Sequence, residues 1–243
     1  MSTAAPSRRV LIVIPALNEA ASVGGVVAHV KRALPEAHVL VVDDGSSDRT
    51  ADVARLAGAS VAQLPFNLGV GGAMRTGFRY AQRNDFDVLI QVDGDGQHDT
   101  EYLPSIVAAL DRADVVIGAR FAGVGAYRVA GPRSWAIRIL AWLLSRIMGI
   151  PVTDGTSGYR GANRRAIGVF AKHYPAEYLG DTVESLVIAR RTGLTVVQVP
   201  VAMRPRAGGV ASQNVGRSVL YLGRAVAALM LALVRRWPYE EEA

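Results

Sequence analysis

The chain has 243 residues, of which 50% are hydrophobic and 20% are charged, so it suits one domain with a core of ordinary size and is not a disordered chain. It contains no cysteine, which excludes a disulfide scaffold, thiolate metal sites, iron–sulfur clusters and cysteine nucleophiles. The formal net charge is +6, and of the 27 basic residues only Lys31 and Lys172 are lysine. This balance favours anionic partners such as nucleic acid, anionic lipid or a phosphorylated substrate, although base-composition bias explains the arginine content equally well.

Short apolar runs alternate with helical patterns through the first half of the chain. Six runs rich in β-branched residues predict strands over Val10–Ile14, Val39–Val42, Val61–Leu64, Val88–Val92, Val115–Gly118 and Val196–Val199. Helices are predicted over Ser22–Leu34, Ser47–Ala57, Gly71–Gln82 and Glu101–Leu110, with Ser22 and either Ser46 or Ser47 as N-caps. This alternation predicts an α/β fold with a mostly parallel central sheet flanked by helices.

The pattern changes after residue 120. Phe121–Pro132 predicts a mobile loop, Ser134–Met148 an apolar helix, Thr153–Gly161 a polar, glycine-rich loop, and Val215–Trp237 a last long helix before an acidic tail. We therefore expect a nucleotide-binding half over about residues 8–120, an acceptor half over about 121–214 and an appended helix over 215–243. No run reaches the roughly 18 apolar residues of a spanning helix and we recognise no export signal, so a cytoplasmic protein is expected.

The strongest chemical signal is Asp93-Gly94-Asp95-Gly96-Gln97, directly after a predicted strand. Residues i and i+2 of an extended segment point to one side, so Asp93 and Asp95 can present two carboxylates to one hard cation. Gln97 can add an oxygen ligand, and Gly94 lets a ligand approach closely. The pattern favours Mg²⁺ or Mn²⁺ shared with substrate phosphates, and a solvated acidic turn is the alternative. For the neighbouring His98 a solvated turn is favoured over metal ligation.

Three further polar clusters adjoin other predicted strands. Pro15-Ala16-Leu17-Asn18-Glu19 follows the first strand, and Asn67-Leu68-Gly69-Val70-Gly71-Gly72-Ala73 leads into a helix that carries Arg75. Asp43-Asp44-Gly45-Ser46-Ser47-Asp48 follows the second strand, where a carboxylate can bind a base or ribose, or where a turn and helix cap need no ligand. Ligands of open α/β sheets lie at the carboxyl ends of the strands, so the clusters together indicate a nucleotide site.

As a set, these motifs resemble those of the family 2 glycosyltransferases with the GT-A fold, in the branch of the dolichol-phosphate mannosyltransferases and polyprenyl-phosphate glycosyltransferases. Gly118-Ala119-Arg120-Phe121 and Thr153-Asp154-Gly155-Thr156-Ser157-Gly158-Tyr159-Arg160 extend the resemblance, which covers residues 10 to about 205. It implies a Rossmann-like GT-A sheet with apolar or amphipathic C-terminal helices. It also implies inverting, metal-dependent transfer of a sugar from GDP-mannose or a UDP-hexose to a polyprenyl monophosphate.

The resemblance also assigns roles to residues. It puts the cation on Asp93, Asp95 and Gln97, and the acceptor phosphate between Arg120 and Arg133. Asp95, Arg120 and Asp154 are the catalytic candidates, and Asp154 or Glu184 would be the base if the acceptor were a hydroxyl. The candidates for binding the donor and the phosphates, with Asp44 on the base, are Pro15, Ala16, Asn18, Glu19, Asp44, Asn67, Gly69, Arg75, Asp93, Gly94, Arg133, Arg204 and Arg206. Arg160 is a further phosphate candidate.

Two departures from the family pattern concern phosphate contacts. Many relatives carry lysine where this chain has Val70, and many carry a Gly-x-Ser-Lys motif where it reads Gly208-Gly209-Val210-Ala211-Ser212-Gln213. Both changes weaken the assignment of the acceptor.

The remaining alternatives concern partners. Trp135 and Trp142 on one helix, and a basic stripe of Arg217, Arg224 and Arg235, favour peripheral contact with the inner face of the cell membrane, the alternative being a terminal helix packed on the core. The rival functions are the same donor chemistry on a soluble acceptor and a non-catalytic nucleotide-sugar-binding module. We expect no nucleic-acid partner, because only the charge would favour one.

Overall fold

The computed structural model describes residues 8–120, 141–175 and 181–204. Several predicted features lie outside these ranges: Arg133, Arg206, Trp135, the loop over 121–132, the Gly208–Gln213 segment and the helix and tail over 215–243.

The centre of the fold is a seven-stranded sheet with the order β3-β2-β1-β4-β6-β5-β7. The strands are β1 (Val10–Ala16), β2 (His38–Asp43), β3 (Ser60–Gln63), β4 (Val88–Gln91), β5 (Val115–Ala119), β6 (Arg160–Asn163) and β7 (Val196–Pro200). Every pair of neighbours is parallel except the two that include β6, which runs antiparallel to β4 and β5. The predicted mostly parallel sheet is confirmed.

Strand β6 differs from the prediction, which placed its first two residues in a loop. Its sequence, Arg-Gly-Ala-Asn, has no β-branched or aromatic residue, so the sequence carries no local strand signal. The strand forms because β4 and β5 bond it on both sides, with Ile90 opposite Gly161. A Cβ on Gly161 would lie 2.8 Å from Ile106 of the helix packed above, so a small residue is needed there.

Helices cover both faces of the sheet, as predicted. They are α1 (Val23–Ala33), α2 (Thr50–Leu56), α3 (Gly69–Arg83), a 3₁₀ turn (Thr100–Tyr102) leading into α4 (Leu103–Ala109), α5 (141–148), α6 (Arg164–His173) and α7 (Asp181–Arg191). In β1, Leu11 and Val13 face the core beneath α3, α6 and α7, whereas Ile12 and Ile14 face the core beneath α1 and α4. Among the residues described, no helix is long and apolar enough to cross a membrane.

The predicted serine caps are not formed. Helix α2 begins at Thr50, after an N-cap position occupied by Arg49, so neither Ser46 nor Ser47 caps it. Both serines instead bond Asn18 across the sheet edge. Ser22 does precede α1, but its hydroxyl donates to the carboxylate of Glu19 at 2.7 Å. Bonds between loops have replaced capping at Ser46 and Ser47, whereas Ser22 occupies the N-cap position of α1 and bonds Glu19 within its own loop.

Candidate active site

The loops that carry the four polar clusters meet at the carboxyl edge of the sheet. The N–H of Asp44 donates to the carbonyl of Ala16 at 2.9 Å, joining the loops after β2 and β1. A Cβ on Gly94 would lie 3.3 Å from the carbonyl oxygen of Pro15, so the loop after β4 packs closely on the loop after β1. The structure thus brings the polar residues near the ends of β1, β2 and β4 to one edge of the sheet, where the sequence predicted a nucleotide site.

Asp44 holds the start of α3 in place. Its two carboxylate oxygens accept hydrogen bonds from the N–H groups of Leu68 at 2.7 Å and Gly69 at 2.8 Å. Burial raises the pKa of Asp44, and these two backbone donors oppose that rise. Asn67 supports the same turn by accepting from the N–H of Gly69 at 2.8 Å. The predicted contact between Asp44 and a nucleotide base stays a prediction.

Asn18 and Glu19 fasten the loop after β1 to the loop after β2. Asn18 has a left-handed backbone (φ 55) and accepts from the N–H of Ser47 at 2.9 Å. The N–H of Glu19 donates to the hydroxyl of Thr50 at 2.8 Å, while its carboxylate accepts from Ser22. These contacts give both residues a structural part beside the predicted binding part.

The predicted cation motif forms a turn with two partly exposed carboxylates. Asp93 follows β4 and accepts from the side-chain amide of Gln91 at 3.1 Å. Asp95 accepts from the N–H of Gln97 at 3.0 Å, and the turn closes through Gly96, which has a positive φ of 78. Both carboxylates are supported by the protein, and both remain half-buried at the sheet edge.

The donor set of this turn fits a hard divalent cation that is shared with a ligand. Oxygen atoms are the ligands that Mg²⁺ and Mn²⁺ prefer. A Cβ on Gly158 would lie 3.3 and 3.4 Å from the two carboxylate oxygens of Asp93, so a glycine here leaves room beside them. Within the described ranges no group of three or more acidic or histidine side chains could hold an ion, so a cation on Asp93 and Asp95 would take further ligands from elsewhere.

Arg120 and Asp154 form a buried ion pair at the end of β5. The guanidinium Nε and Nη2 of Arg120 lie 2.6 and 2.8 Å from the two oxygens of Asp154, and the N–H of Arg120 donates to the same carboxylate at 3.0 Å. Burial raises the pKa of Asp154, but the hydrogen bonds and charge of Arg120 outweigh it and leave the pKa lowered. With both oxygens engaged, Asp154 is built to position Arg120 rather than to accept a proton.

Three other arginines predicted to contact phosphate are engaged by the protein. Arg75 donates to the carbonyl of Lys172 at 3.4 Å and so links α3 to α6. Arg160 is buried and donates to three main-chain carbonyls, those of Gly155, Ser157 and Thr182. Arg204 pairs with Asp99 at 2.7 Å and with Glu101 at 3.3 Å. Among the described candidates, Arg120 is the one at a strand end with a guanidinium that stays partly exposed.

Asp181 is a site candidate that the sequence did not reveal. It begins α7, is buried, and has a carboxylate oxygen for which the described part of the chain offers no hydrogen-bond partner. Burial raises the pKa of Asp181 to about 6; Arg160 opposes the rise and Asp93 adds to it. One acidic residue at a helix start carries no distinguishing pattern. Glu184 of the same helix, predicted as an acceptor-side base or an exposed helix position, is half-buried.

Gln198 is a second residue that sequence reasoning missed. It lies on β7, and its side-chain oxygen accepts from the N–H of Thr153 at 2.9 Å and of Asp154 at 3.3 Å. The loop that holds Arg120 is thereby tied to the edge of the sheet. A single glutamine in an apolar strand gives a weak signal, namely a polar residue without an evident surface role.

The mostly parallel sheet and its polar carboxyl edge are those of a GT-A glycosyltransferase. A solved structure with this fold, glucosyl-3-phosphoglycerate synthase from Mycobacterium tuberculosis in complex with Mn²⁺, UDP and glucosyl-3-phosphoglycerate, superposes with a TM-score of 0.73 at 22% identity and covers 95% of this chain and 81% of that one. Residues 11–170 match the family described as Glycosyl transferase family 2. The chain belongs to this family and is a glycosyltransferase.

Two curated relatives cover most of the chain. Undecaprenyl-phosphate mannosyltransferase of Micrococcus luteus is 35% identical in an alignment of 235 residues, and the match covers 89% of this chain and 93% of that protein. Polyprenol monophosphomannose synthase of Mycolicibacterium smegmatis is 32% identical in an alignment of 227 residues, and the match covers 88% of this chain and 84% of that protein. The resemblance read from the motifs is confirmed.

Proposed function

We propose that the protein transfers a sugar from a nucleoside-diphosphate sugar, GDP-mannose or a UDP-hexose, to the phosphate of a polyprenyl monophosphate. The observation that carries the proposal is the pairing of two motifs at one sheet edge. Asp93 and Asp95 offer oxygen ligands after β4, and Arg120 stands at the end of β5 on a buried carboxylate. The acceptor class is supported by the names of the two curated relatives. One is an undecaprenyl-phosphate mannosyltransferase and the other is a polyprenol monophosphomannose synthase.

In the proposed mechanism, the cation motif acts on the diphosphate of the donor and Arg120 acts on the phosphate of the acceptor. Asp93, Asp95 and Gln97 would hold Mg²⁺ or Mn²⁺, which supplies charge stabilisation to the departing diphosphate. Arg120 would hold the acceptor phosphate through a guanidinium fork, oriented by Asp154. A phosphate acceptor is already an anion, so it needs positioning more than a base. Direct displacement by this oxygen would invert the configuration of the sugar.

A membrane-bound acceptor calls for contact with the membrane, and we include peripheral association with its cytoplasmic face in the proposal. Trp142 on α5 is 64% exposed, while Leu144 on the same helix is buried in the core. The hydroxyl of Ser145 accepts from the N–H of Val152 at 2.8 Å, so α5 is fixed to the loop that positions Arg120. An exposed tryptophan on a helix that is fixed to this loop suits the interface of a bilayer.

A hydroxyl acceptor is the second candidate, and Asp181 is the observation that favours it. A general base works best when its pKa is near the operating pH. Burial raises the pKa of Asp181 to about 6, and Asp93 contributes to that rise. Asp181 therefore suits proton transfer from a hydroxyl in a way that the ion-paired Asp154 does not.

Product analysis separates these functions. The purified chain is incubated with GDP- and UDP-sugars, Mg²⁺ or Mn²⁺, and a short polyprenyl phosphate in detergent. A lipid-linked sugar phosphate is the expected product, whereas transfer to added soluble hydroxyl compounds alone would favour the second candidate. Donor binding without any turnover would overturn both and leave a nucleotide-sugar-binding module.

The variant Asp95→Ala tests whether the cation motif works in turnover. Loss of one electrostatic group at a reacting centre costs about a hundredfold or more in rate. We expect that loss with the melting temperature nearly unchanged, because Asp95 is at the edge of the sheet and partly exposed. Unchanged transfer by Asp95→Ala would contradict the proposed metal site.

A further inference from the structure

His98 lies directly against Asp93 and is buried rather than solvated. The residue is 4% exposed, so the favoured interpretation of a solvated turn is wrong. Its Nδ1 accepts a hydrogen bond from the N–H of Asp93 at 3.0 Å, and its Nε2 lies 3.4 Å from the Oδ2 of the same residue. One imidazole thus touches both the main chain and the carboxylate of Asp93.

The contact at Nδ1 determines which nitrogen carries the proton in the neutral ring. An atom that accepts an N–H hydrogen bond has no proton of its own, so the proton of neutral His98 is on Nε2. That N–H faces Oδ2 of Asp93, while the amide of Gln91 donates to Oδ1 at 3.1 Å. Oδ1 of Asp93 therefore accepts from the Gln91 amide, whereas Oδ2 lies in close electrostatic contact with Nε2 of His98, and both oxygens keep capacity for a further partner.

The imidazole is fixed in this orientation by its surroundings. It stacks on Tyr159 with ring centroids 4.6 Å apart and planes 9° apart, and the Tyr159 hydroxyl donates to the carbonyl of Asp99 at 3.0 Å. A Cβ on Gly118 would lie 3.1 Å from the Tyr159 ring, so β5 packs tightly behind it. A main-chain bridge pairs His98 with Met203 on the other side. These contacts keep the ring from turning away from Asp93.

We propose that His98 is a positioning residue that orients the Asp93 carboxylate toward the cation. The inference rests on the proposed function, since it assumes that Asp93 binds the metal. Hydrogen bonds from outer groups to metal-bound carboxylates set ligand orientation, and their loss costs about 10- to 100-fold in metal affinity. His98 is placed to give such support to Asp93 through the main-chain bond at Nδ1 and the contact at Nε2.

Two substitutions of His98 test the contributions of its two ring nitrogens separately. The side-chain oxygen of His98→Asn can replace Nδ1 and keep the bond from the Asp93 N–H, but it does not reach Oδ2. The longer amide of His98→Gln can replace the Nε2 donor to Oδ2. His38→Asn is the matched control, because His38 is also a stacked histidine of this sheet, where it lies half-buried at the start of β2 and contacts Tyr80 and Phe86.

The experiment measures Mn²⁺ binding from the electron paramagnetic resonance signal of the free ion. It is done with and without UDP or GDP, and the Mn²⁺ bound by the nucleotide alone is subtracted. We expect His98→Asn to weaken Mn²⁺ binding about tenfold, and His98→Gln to bind more tightly than His98→Asn. His38→Asn should bind as the wild type does. Melting temperatures in EDTA identify any loss that comes from unfolding.

The outcomes distinguish the two proposals. Wild-type protein that binds no Mn²⁺ in the presence of nucleotide would overturn the proposed metal site itself. Wild-type binding that His98→Asn retains in full would overturn the role of His98 and leave the metal site standing. Equal weakening by the asparagine and glutamine variants would also overturn it, because the contact with Oδ2 would then not matter.

Discussion

At the scale of single residues, the site consists of charged groups that the protein itself holds in place. Asp44 is engaged by main-chain donors, Asp154 by Arg120, and Asp93 by Gln91 and His98. Such supporting bonds lower the freedom of a side chain before a ligand arrives, which is the requirement for precise positioning. Residues whose hydrogen-bonding groups are all engaged by the protein therefore fix the positions of the neighbouring side chains that remain partly exposed.

The first residue-scale prediction concerns Asp154→Asn. The substitution removes the negative charge that pairs with the Arg120 guanidinium, at a position where the carboxylate is fully buried. Removing one partner of a buried ion pair costs about 3 to 5 kcal/mol of folding free energy. We expect Asp154→Asn to lose about 3 kcal/mol, at the lower end of this range, because Arg120 remains partly exposed. Chemical denaturation measures this difference.

The matched control for that variant is Asp85→Asn. Asp85 pairs with Arg164 at 3.5 Å, and both side chains are mostly exposed. Exposed pairs contribute at most about 1 kcal/mol, so this variant should be nearly as stable as the wild type. Equal losses for the two variants would show that the buried geometry of the Arg120–Asp154 pair adds nothing.

The second residue-scale prediction is a pH-dependent gain in stability from Asp181→Asn. Burial raises the pKa of Asp181 from 3.8 to about 6, so the folded state holds its proton more tightly than the unfolded state. Stability therefore falls as pH rises from about 4 to about 6, and the full cost remains above that range. At pH 7.5 we expect Asp181→Asn to be more stable by about 3 kcal/mol, with no difference near pH 4. Denaturation at the two pH values tests the sign, and a constant difference would contradict it.

At the scale of elements, the sequence predicts what apolar periodicity encodes. The strands β1, β2, β4 and β5 were predicted because burial on both faces of the sheet gives continuous apolar runs. The edge strands β3 and β7 are only partly buried and were predicted from their β-branched residues. β6 and α6 were not predicted, because β6 takes its strand form from its two neighbours and α6 follows it directly. Tertiary pairing overrides local preference at such segments.

The same limit applies to the candidate site. Asp93 and Asp95 could be named because they follow a predicted strand, and Arg120 could be named through the family resemblance of Gly118-Ala119-Arg120-Phe121. The burial of His98 against Tyr159 and the burial of Asp181 could not be predicted, because both depend on packing between segments distant in sequence. The sequence pattern predicts which residues follow a strand. It does not predict which side chains of the following loop are buried.

An element-scale prediction contrasts two glycines. Gly45 has a positive φ of 78, and a Cβ there would lie 2.9 Å from the main chain of Phe66, so Gly45→Ala should lose more than about 1 kcal/mol. Gly168 is inside α6 with no atom within 4 Å of its Cβ position, so Gly168→Ala should gain about 0.5 to 1 kcal/mol. Thermal denaturation of both variants checks the opposite signs, and a stabilising Gly45→Ala would contradict the close approach of the two loops.

At the scale of the whole molecule, one sheet joins the part of the chain predicted to bind the donor to the part predicted to bind the acceptor. β6 comes from the second part and lies between β4 and β5 of the first. The cation motif after β4 and Arg120 after β5 are therefore separated by one antiparallel strand, and Gly158, just before that strand, lies beside Asp93. This insertion places the cation motif and Arg120 on one continuous sheet.

The whole-molecule prediction concerns the membrane. A chain with a net charge of +6 should be drawn to anionic lipid, and the exposed Trp142 should enter the interface on the side of Arg120. We expect the protein to sediment with vesicles of phosphatidylglycerol and phosphatidylcholine, less so in high salt, and Trp142→Ser to sediment less than the wild type. Leu56→Ser is the control, since Leu56 is 82% exposed on α2. Only a protein that binds the membrane in a fixed orientation depends more on one exposed apolar side chain than on another. Equal reductions in sedimentation for Trp142→Ser and Leu56→Ser would therefore contradict a defined docking side and indicate binding through general surface hydrophobicity.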